Sequence, residues 1–246
     1  MQLFGERTMQ LNTPKGNKTV LVIPDTQLPF CHEDSIKFLA AVKRKFNPTN
    51  IVHVGDFFDL HALSNYDIDP DGLSAGDELK LAQKQAKQFY KLFPKCQLVT
   101  SNHDVRIYKK AQKVGIPKGY LVDYRDWMQF PKGWSIQPTV EIDEVLYFHG
   151  EGYSGAQGHR NACIKNMQSS VIGHIHSHAG IAYVANQRAL CFGMNVGCLI
   201  DVEAYAFAYG KNLPYKPIIC CGIVRNGVPQ LVPMVLNGEG RWNKKL

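Results

Sequence analysis

Seven side chains in this sequence stand just past the ends of strand-like apolar runs: Asp25, Gln27, Asp56, Asn102, His149, His174 and His176. His103 adjoins Asn102, and Asp59 follows Asp56 by about one turn. Each of the seven offers an oxygen or an imidazole nitrogen, and none offers a thiolate. Such a set suits Mn²⁺, Mg²⁺, iron or Zn²⁺ in a working site better than a structural zinc centre. Tips of neighbouring parallel strands meet at one edge of a sheet, so donors far apart in sequence can converge there. Seven donors are too many for one four-coordinate ion and too few to saturate two, which leaves positions for water and substrate. One carboxylate must then serve both ions, and Asp56 is the natural bridge.

The elements that would position these donors are legible from pattern. Thr19 to Ile23 is a continuous apolar, largely β-branched run, and Ile51 to Val54 is a second that stops at Gly55. Both read as buried parallel strands. Between them Glu33 to Phe46 reads as a helix, stopped by Asn47 and Pro48. Asp77 to Phe93 is a helix with Leu79, Ala82, Ala86, Phe89 and Phe93 on one face. Lys80, Lys84, Lys87, Lys91 and Lys95 line its other face, a solvated surface before it is a nucleic-acid footprint. A third strand, Cys96 to Thr100, precedes Asn102, and a helix resumes towards Gln112. Residues 115–138, with Tyr120, Tyr124, Trp127, Phe130 and Trp134, form an insertion that could wall a cleft or pack as a surface lobe. From Val140 onward strands dominate, with a short helix within 155–168 and a two-residue hairpin turn at Asn226-Gly227. Two facing sheets covered by helices would accommodate both halves. Residues 1–18 read as an arm, and 19–246 as a single domain.

Composition narrows the setting. The hydrophobic share of 45% is enough for a sizeable core in 246 residues. No apolar run approaches the ~20 residues of a membrane span, and the N-terminus carries no secretory pattern. Seven cysteines, none in Cys-x-x-Cys spacing, read as reduced, buried thiols of a cytoplasmic protein. A formal charge of +7 permits an anionic substrate without requiring one.

In order and spacing, Asp-x-Gln (25–27), Gly-Asp-x-x-Asp (55–59), Asn-His-Asp (102–104), the lone His149 and Gly-His-x-His (173–176) resemble the calcineurin-like metallophosphoesterases, in a compact form of bacterial or phage type. The resemblance implies a four-layer α/β/β/α sandwich, two mixed sheets flanked by helices. It implies two divalent ions, Mn²⁺ first and Mg²⁺, iron, Ni²⁺ or Zn²⁺ as alternatives. One would be held by Asp25, Gln27, Asp56 and His176, the other by Asp56, Asn102, His149 and His174. It further implies a bridging hydroxide as nucleophile, with His103 protonating the leaving oxygen or holding phosphate and Asp59 orienting His103. This chain departs from the family at Gln27, where a histidine is usual, and at Ser101, where a glycine is usual and a minor backbone effect is expected. Leu60 stands where the protein-phosphatase branch has an arginine. That tilts the reading towards phosphodiesterases and nucleases acting on DNA, RNA or nucleotides. A small-molecule phosphomonoesterase, and a decayed scaffold for protein partners like the retromer subunit of this fold, are the alternatives.

Each donor also has a plainer reading. Asp25 or Asp56 alone is a loop cap after a strand; His174 and His176 alone are a satisfied core pair. His178 shares their face and is expected at the periphery, as are Asp201 and Glu203. His32, His53, His61 and His159 are expected to be ordinary residues, with His61 or His159 at most on the rim.

Overall fold

Alternation along the first strand sets the architecture. In β1 (Thr19–Ile23), Val20 and Val22 belong to one buried apolar cluster, while Leu21 and Ile23 belong to another. Successive strand residues face opposite sides, so a strand apolar at every position must be covered twice. The computed structural model, which describes residues 17–64, 71–185, 187, 189–204 and 216–246, shows both covers. Most of the expected N-terminal arm, residues 1–16, lies outside the described residues, as do residues 65–70 of the loop after Asp59.

The first sheet also contains β2 (Asn50–His53), β3 (Cys96–Val99), β4 (Trp134–Gln137), β10 (Cys220–Arg225) and β11 (Val228–Pro233), in the order β11-β10-β1-β2-β3-β4. β1 to β4 are parallel; β10 and β11 pair antiparallel. The second sheet holds β5 (Val140–Ile142), β6 (Val145–Tyr147), β7 (Ser170–Ile172), β8 (Ala179–Ala185) and β9 (Leu190–Val196), in the order β5-β6-β7-β9-β8. Here β6, β7 and β9 run parallel. The hairpin read at Asn226-Gly227 is present, both residues having positive φ, as such a turn requires.

Val20, Val22, Val52, Val54 and Val99 of the first sheet meet Val145, Tyr147, Val171, Met194 and Val196 of the second. The outer face of the first sheet is covered by α1 (Ser35–Phe46) and α2 (Ala75–Leu92), through Phe38, Leu39, Val42, Ala82, Ala86 and Phe89. On the far side α5 (Gly158–Asn166) lies over β7, β8 and β9. Two mixed sheets flanked by helices are therefore the observed fold. Between β3 and β4 come α3 (Arg106–Lys113) and α4 (Tyr124–Trp127).

In the segment 115–138 the aromatic rings other than Tyr120 pack against the core, while much of the chain between them is exposed. Trp134 is fully buried, its Nε1 donating to the Phe93 carbonyl at 2.8 Å, and its ring lies 5.2 Å from Phe57. Trp127 meets Phe58 at 5.5 Å. These rings back the loop that carries Asp56 and Asp59, while Tyr120 stays exposed. Full burial of a side chain the size of Phe57 contributes about 1.5–3 kcal/mol. The helix Ala75–Leu92 starts two residues earlier than the pattern suggested, because the Ser74 hydroxyl accepts from the Asp77 N–H at 3.1 Å and caps it.

Candidate metal centre

Strand polarity brings the donors together. β1, β2, β3, β6 and β7 all end on the same edge, and Asp25, Asp56, Asn102, His149 and His174 follow their last residues. The backbone there is held in uncommon conformations: Gln27, Asp56, Leu60 and His174 all have φ between 43° and 67°. Such left-handed non-glycine residues cost of order 1–3 kcal/mol each and persist where their surroundings impose them. Gly55, at φ 101°, is required as well. A Cβ there would stand 2.7 Å from Ser101 Cβ and 2.8 Å from His149 Nδ1. A Cβ on Gly173 would land on Asp25 Oδ1.

Among the described residues two groups of side chains with ligand atoms within 4.8 Å of one another result: Asp25, Asp56 and His176, and Asp56, His149 and His174. Asp56 belongs to both. In the first group Asp25 Oδ2 lies 2.9 Å from His176 Nε2 and accepts the His174 backbone N–H at 2.9 Å. In the second, the His149 ring nitrogen Nδ1 meets the Val54 carbonyl at 2.9 Å, which places the proton on Nδ1 and turns Nε2 inward. Around that Nε2 lie Asn102 Oδ1 at 2.7 Å, His174 Nδ1 at 3.1 Å and Asp56 Oδ2 at 3.4 Å. So many acceptors facing one another call for a cation between them.

The remaining polar atoms fit that requirement. Among the described residues Asp25 Oδ1 and Gln27 Oε1 have no hydrogen-bond partner although both are buried, an arrangement that costs of order 1–3 kcal/mol per group unless something binds there. Gln27 points its Nε2 at Asp56 Oδ2 (3.4 Å) and His176 Nε2 (3.5 Å). An amide nitrogen does not ligate a cation but its oxygen does, so direct ligation needs the amide turned by half a rotation.

Electrostatics agree in sign. Burial alone would lower the pKa of His149, but the Asp56 and Asp25 charges outweigh it and the value is raised. Burial alone would raise that of Asp56, but the His103 and His149 charges and the Ser101 hydroxyl carry it well below the ordinary carboxylate range. His174 is lowered, first by burial and then by His149.

Beside this cluster, His103 Nδ1 lies 2.7 Å from Asp59 Oδ1, while its Nε2 is 3.6 Å from Asp56 Oδ2. Burial lowers the His103 pKa; the charges of Asp56 and Asp59 and the Asp59 hydrogen bond more than reverse this. All nine side chains singled out from the sequence thus gather at one edge. His178 is peripheral, 2.9 Å from the Ser177 hydroxyl through Nδ1. Asp201 accepts from the N–H groups of Glu203 and Ala204. His53 is buried behind the loop, beside the Thr26 hydroxyl at 3.3 Å, and burial pushes its pKa down to about 3.

Several contributors escaped the sequence reading. Ser101 does more than relieve a backbone: its hydroxyl accepts the Asp56 N–H at 2.7 Å and donates to Asp104 at 2.6 Å. Asp104 is buried, and burial followed by the Asp56 charge pushes its pKa up to about 7. Asn195, fully buried, donates from Nδ2 to the carbonyls of Ile175 and His178, bracing the turn that carries His174 and His176. Glu78 accepts the N–H groups of His61 and Ala62 at 2.7 and 2.8 Å, anchoring the chain beyond Asp59. Arg106 contacts both Asp59 and His103. Two carried a signal: Ser101 as a departure from the family pattern, and Asp104 as the last residue of Asn-His-Asp.

No family model matches this chain. It is 24% identical over 253 residues to the Gene 54 protein of Mycobacterium phage L5, covering 89% of this chain and 94% of that protein. The Gene 54 protein of Mycobacterium phage D29 is 26% identical over 254 residues, with the same coverage. Similar solved structures include Yfce, a phosphoesterase from E. coli, at 12% identity and TM-score 0.44, covering 93% of this chain and 98% of that one. A metallophosphoesterase from Sphaerobacter thermophilus has 13% identity and TM-score 0.43, with 89% of both chains covered. Vacuolar Protein Sorting 29 from Cryptosporidium parvum has 13% identity and TM-score 0.39, with 87% and 95% covered. Likeness at this level carries no weight for the chemistry, which rests on the donors themselves. Among the described residues no helix is long and apolar enough to cross a membrane.

Proposed function

We propose that the protein is a metal-dependent phosphoester hydrolase of the calcineurin-like metallophosphoesterase type, that it works with two divalent ions, and that it cleaves diesters in nucleic acids or nucleotides. The observation that carries this reading is the carboxylate of Asp56, shared by two separate donor groups. Asp25, Gln27, Asp56 and His176 would hold one ion, and Asp56, Asn102, His149 and His174 the other. Divalent ions there, Mn²⁺ first among them, would supply charge neutralisation at the phosphoryl oxygens and an activated water.

The protein's own groups do the rest. The Val54 carbonyl fixes the His149 tautomer, and Ser101 and the His103 N–H hold the Asp56 backbone and carboxylate in place. Asp59 grips Nδ1 of His103, leaving Nε2 as the atom from which a proton reaches a leaving oxygen. The +7 charge supports an anionic substrate. Exposed lysines 80, 84, 87 and 91 on the outer face of α2, with Lys95 just beyond its end, offer phosphate contacts.

The test is reconstitution. Chelated protein is given Mn²⁺, Mg²⁺, Ni²⁺ or Zn²⁺ in turn, then bis(p-nitrophenyl) phosphate, p-nitrophenyl phosphate, and single- and double-stranded DNA. Metal-dependent diester hydrolysis that Asp56→Asn abolishes is the expected result. Faster monoester cleavage would replace the diesterase reading with a phosphomonoesterase. Protein that binds no metal and hydrolyses none of these would overturn the reading altogether.

A further inference from the structure

One cation reaches the proposed centre from outside the strand-tip motifs. Arg106 is the first residue of α3, where the partial positive charge of the helix end makes a second positive charge unwelcome. Its side chain is nevertheless only 10% exposed. A buried cation in a poor position needs a reason, and its contacts supply one. Nη1 donates to the Asp59 carbonyl at 2.9 Å and to Asp59 Oδ1 at 3.1 Å. Nη2 is turned away from that carboxylate and lies 3.0 Å from His103 Nε2.

Arginine keeps its proton, so across the Nη2 contact it is the donor and His103 Nε2 the acceptor. The ring proton is then on Nδ1, facing Asp59. An arginine present only to neutralise Asp59 would set its fork against both carboxylate oxygens, the geometry that maximises the pair. Here the fork is split. One arm holds Asp59, and the other waits at the nitrogen that the substrate must approach.

We infer that Arg106 binds the substrate, donating from its guanidinium to a non-bridging oxygen of the phosphoester whose leaving oxygen faces His103. An oxygen at hydrogen-bond distance from His103 Nε2 lies within reach of Nη2, because those two nitrogens are 3.0 Å apart. The same residue positions His103, holding its ring through Nε2 until the substrate displaces that contact and leaves the atom open to take up the proton that it passes to the leaving oxygen. The planar, permanently charged fork is suited to a phosphoryl group. It also supplies positive charge at an edge where Asp25, Asp56 and Asp59 would otherwise repel an anion. This inference rests on the phosphoesterase reading above.

The experiment compares wild type, Arg106→Gln and Arg106→Lys, all metal-loaded. It measures inorganic phosphate binding by calorimetry, KM and kcat on bis(p-nitrophenyl) phosphate, and metal content. The Gln variant is expected to bind phosphate about tenfold more weakly and to show a raised KM, with metal content unchanged. The Lys variant, a point charge without the fork, is expected to recover only part of the loss, and it stands in should the Gln variant fail to fold. In the metal-free protein, ring-nitrogen shifts of His103 should show a lone pair on Nε2 in wild type and lose that signature in Arg106→Gln. Phosphate affinity and KM unchanged in the variants would overturn the inference while leaving the phosphoesterase reading intact. Wild-type protein that neither binds phosphate nor hydrolyses esters would overturn both.

Discussion

Two aspartate–arginine pairs in this protein put the same chemistry to different use. Asp34, at the start of α1, takes Arg241 Nε on Oδ2 and Nη2 on Oδ1, both at 2.7 Å. Lys37 adds a contact to Oδ1 at 3.0 Å, and the Trp242 N–H one to Oδ2 at 3.2 Å. That pair is saturated and ties residues near the C-terminus to the outer helix layer. Asp59 is held by one arm of Arg106, whose other arm engages His103. The first pair has both arms of its fork committed and acts as a clamp. The second divides its fork between a carboxylate and a histidine, at the edge where the candidate metal donors converge. What separates structure from chemistry here is the direction of the donors rather than the residue types.

The sharpest way to break this comparison is at His103. His103→Ala should lower turnover of diesters with poor leaving groups by about 10²–10⁴-fold, the usual worth of a general acid. It should do far less with p-nitrophenolate as leaving group and leave metal content intact. Equal losses for both leaving groups would remove His103 from proton transfer. A smaller effect is expected from Asn195→Ala, which takes away the brace of the His174–His178 turn without touching a donor. Loss of such support typically costs about 10–100-fold in metal affinity, read by metal titration. An unchanged affinity would mean the turn holds itself.

The smallest effect belongs to the clamp. Asp34→Asn should leave turnover unchanged and lower the melting temperature by about 2–4 °C at neutral pH. The Arg241 hydrogen bonds hold the Asp34 carboxyl well below the ordinary range. Its contribution is therefore fully present above the unfolded-state pKa of about 3.9 and disappears as pH falls through the lower folded value. The difference in melting temperature between wild type and Asp34→Asn should narrow on acidification below about pH 3.9. A difference that stayed constant across that range would show that shape, not charge, is what the clamp contributes.

Much of the scaffold could be read before any coordinates because local pattern and tertiary burial agree. Thr19–Ile23 is apolar at successive positions and is buried on both faces. Asn226-Gly227 can take two positive φ values, and it closes a hairpin. The segment 115–138 was harder. Trp134 reads as one aromatic among several, yet it begins an edge strand and fills the space behind Phe57. Its own stretch does not say so, because Phe57, Tyr90 and the Phe93 carbonyl, which fix its place, lie far from it in the chain.

The sequence by itself determined which candidate donors stand past the strand ends. An apolar run followed at once by Asp, Asn or His can bury its strand only by leaving the donor at the tip, and parallel strands then share an edge. Tertiary structure alone decided what surrounds those donors. Ser101 under Asp56, Asn195 behind His174 and His176, Glu78 beneath His61, and Arg106 between Asp59 and His103 are long-range or oriented contacts. Serine, asparagine, glutamate and arginine are ordinary surface residues in any local window. Their roles come from burial beside a particular partner and from the direction of a few hydrogen bonds, and neither is written in spacing along the chain.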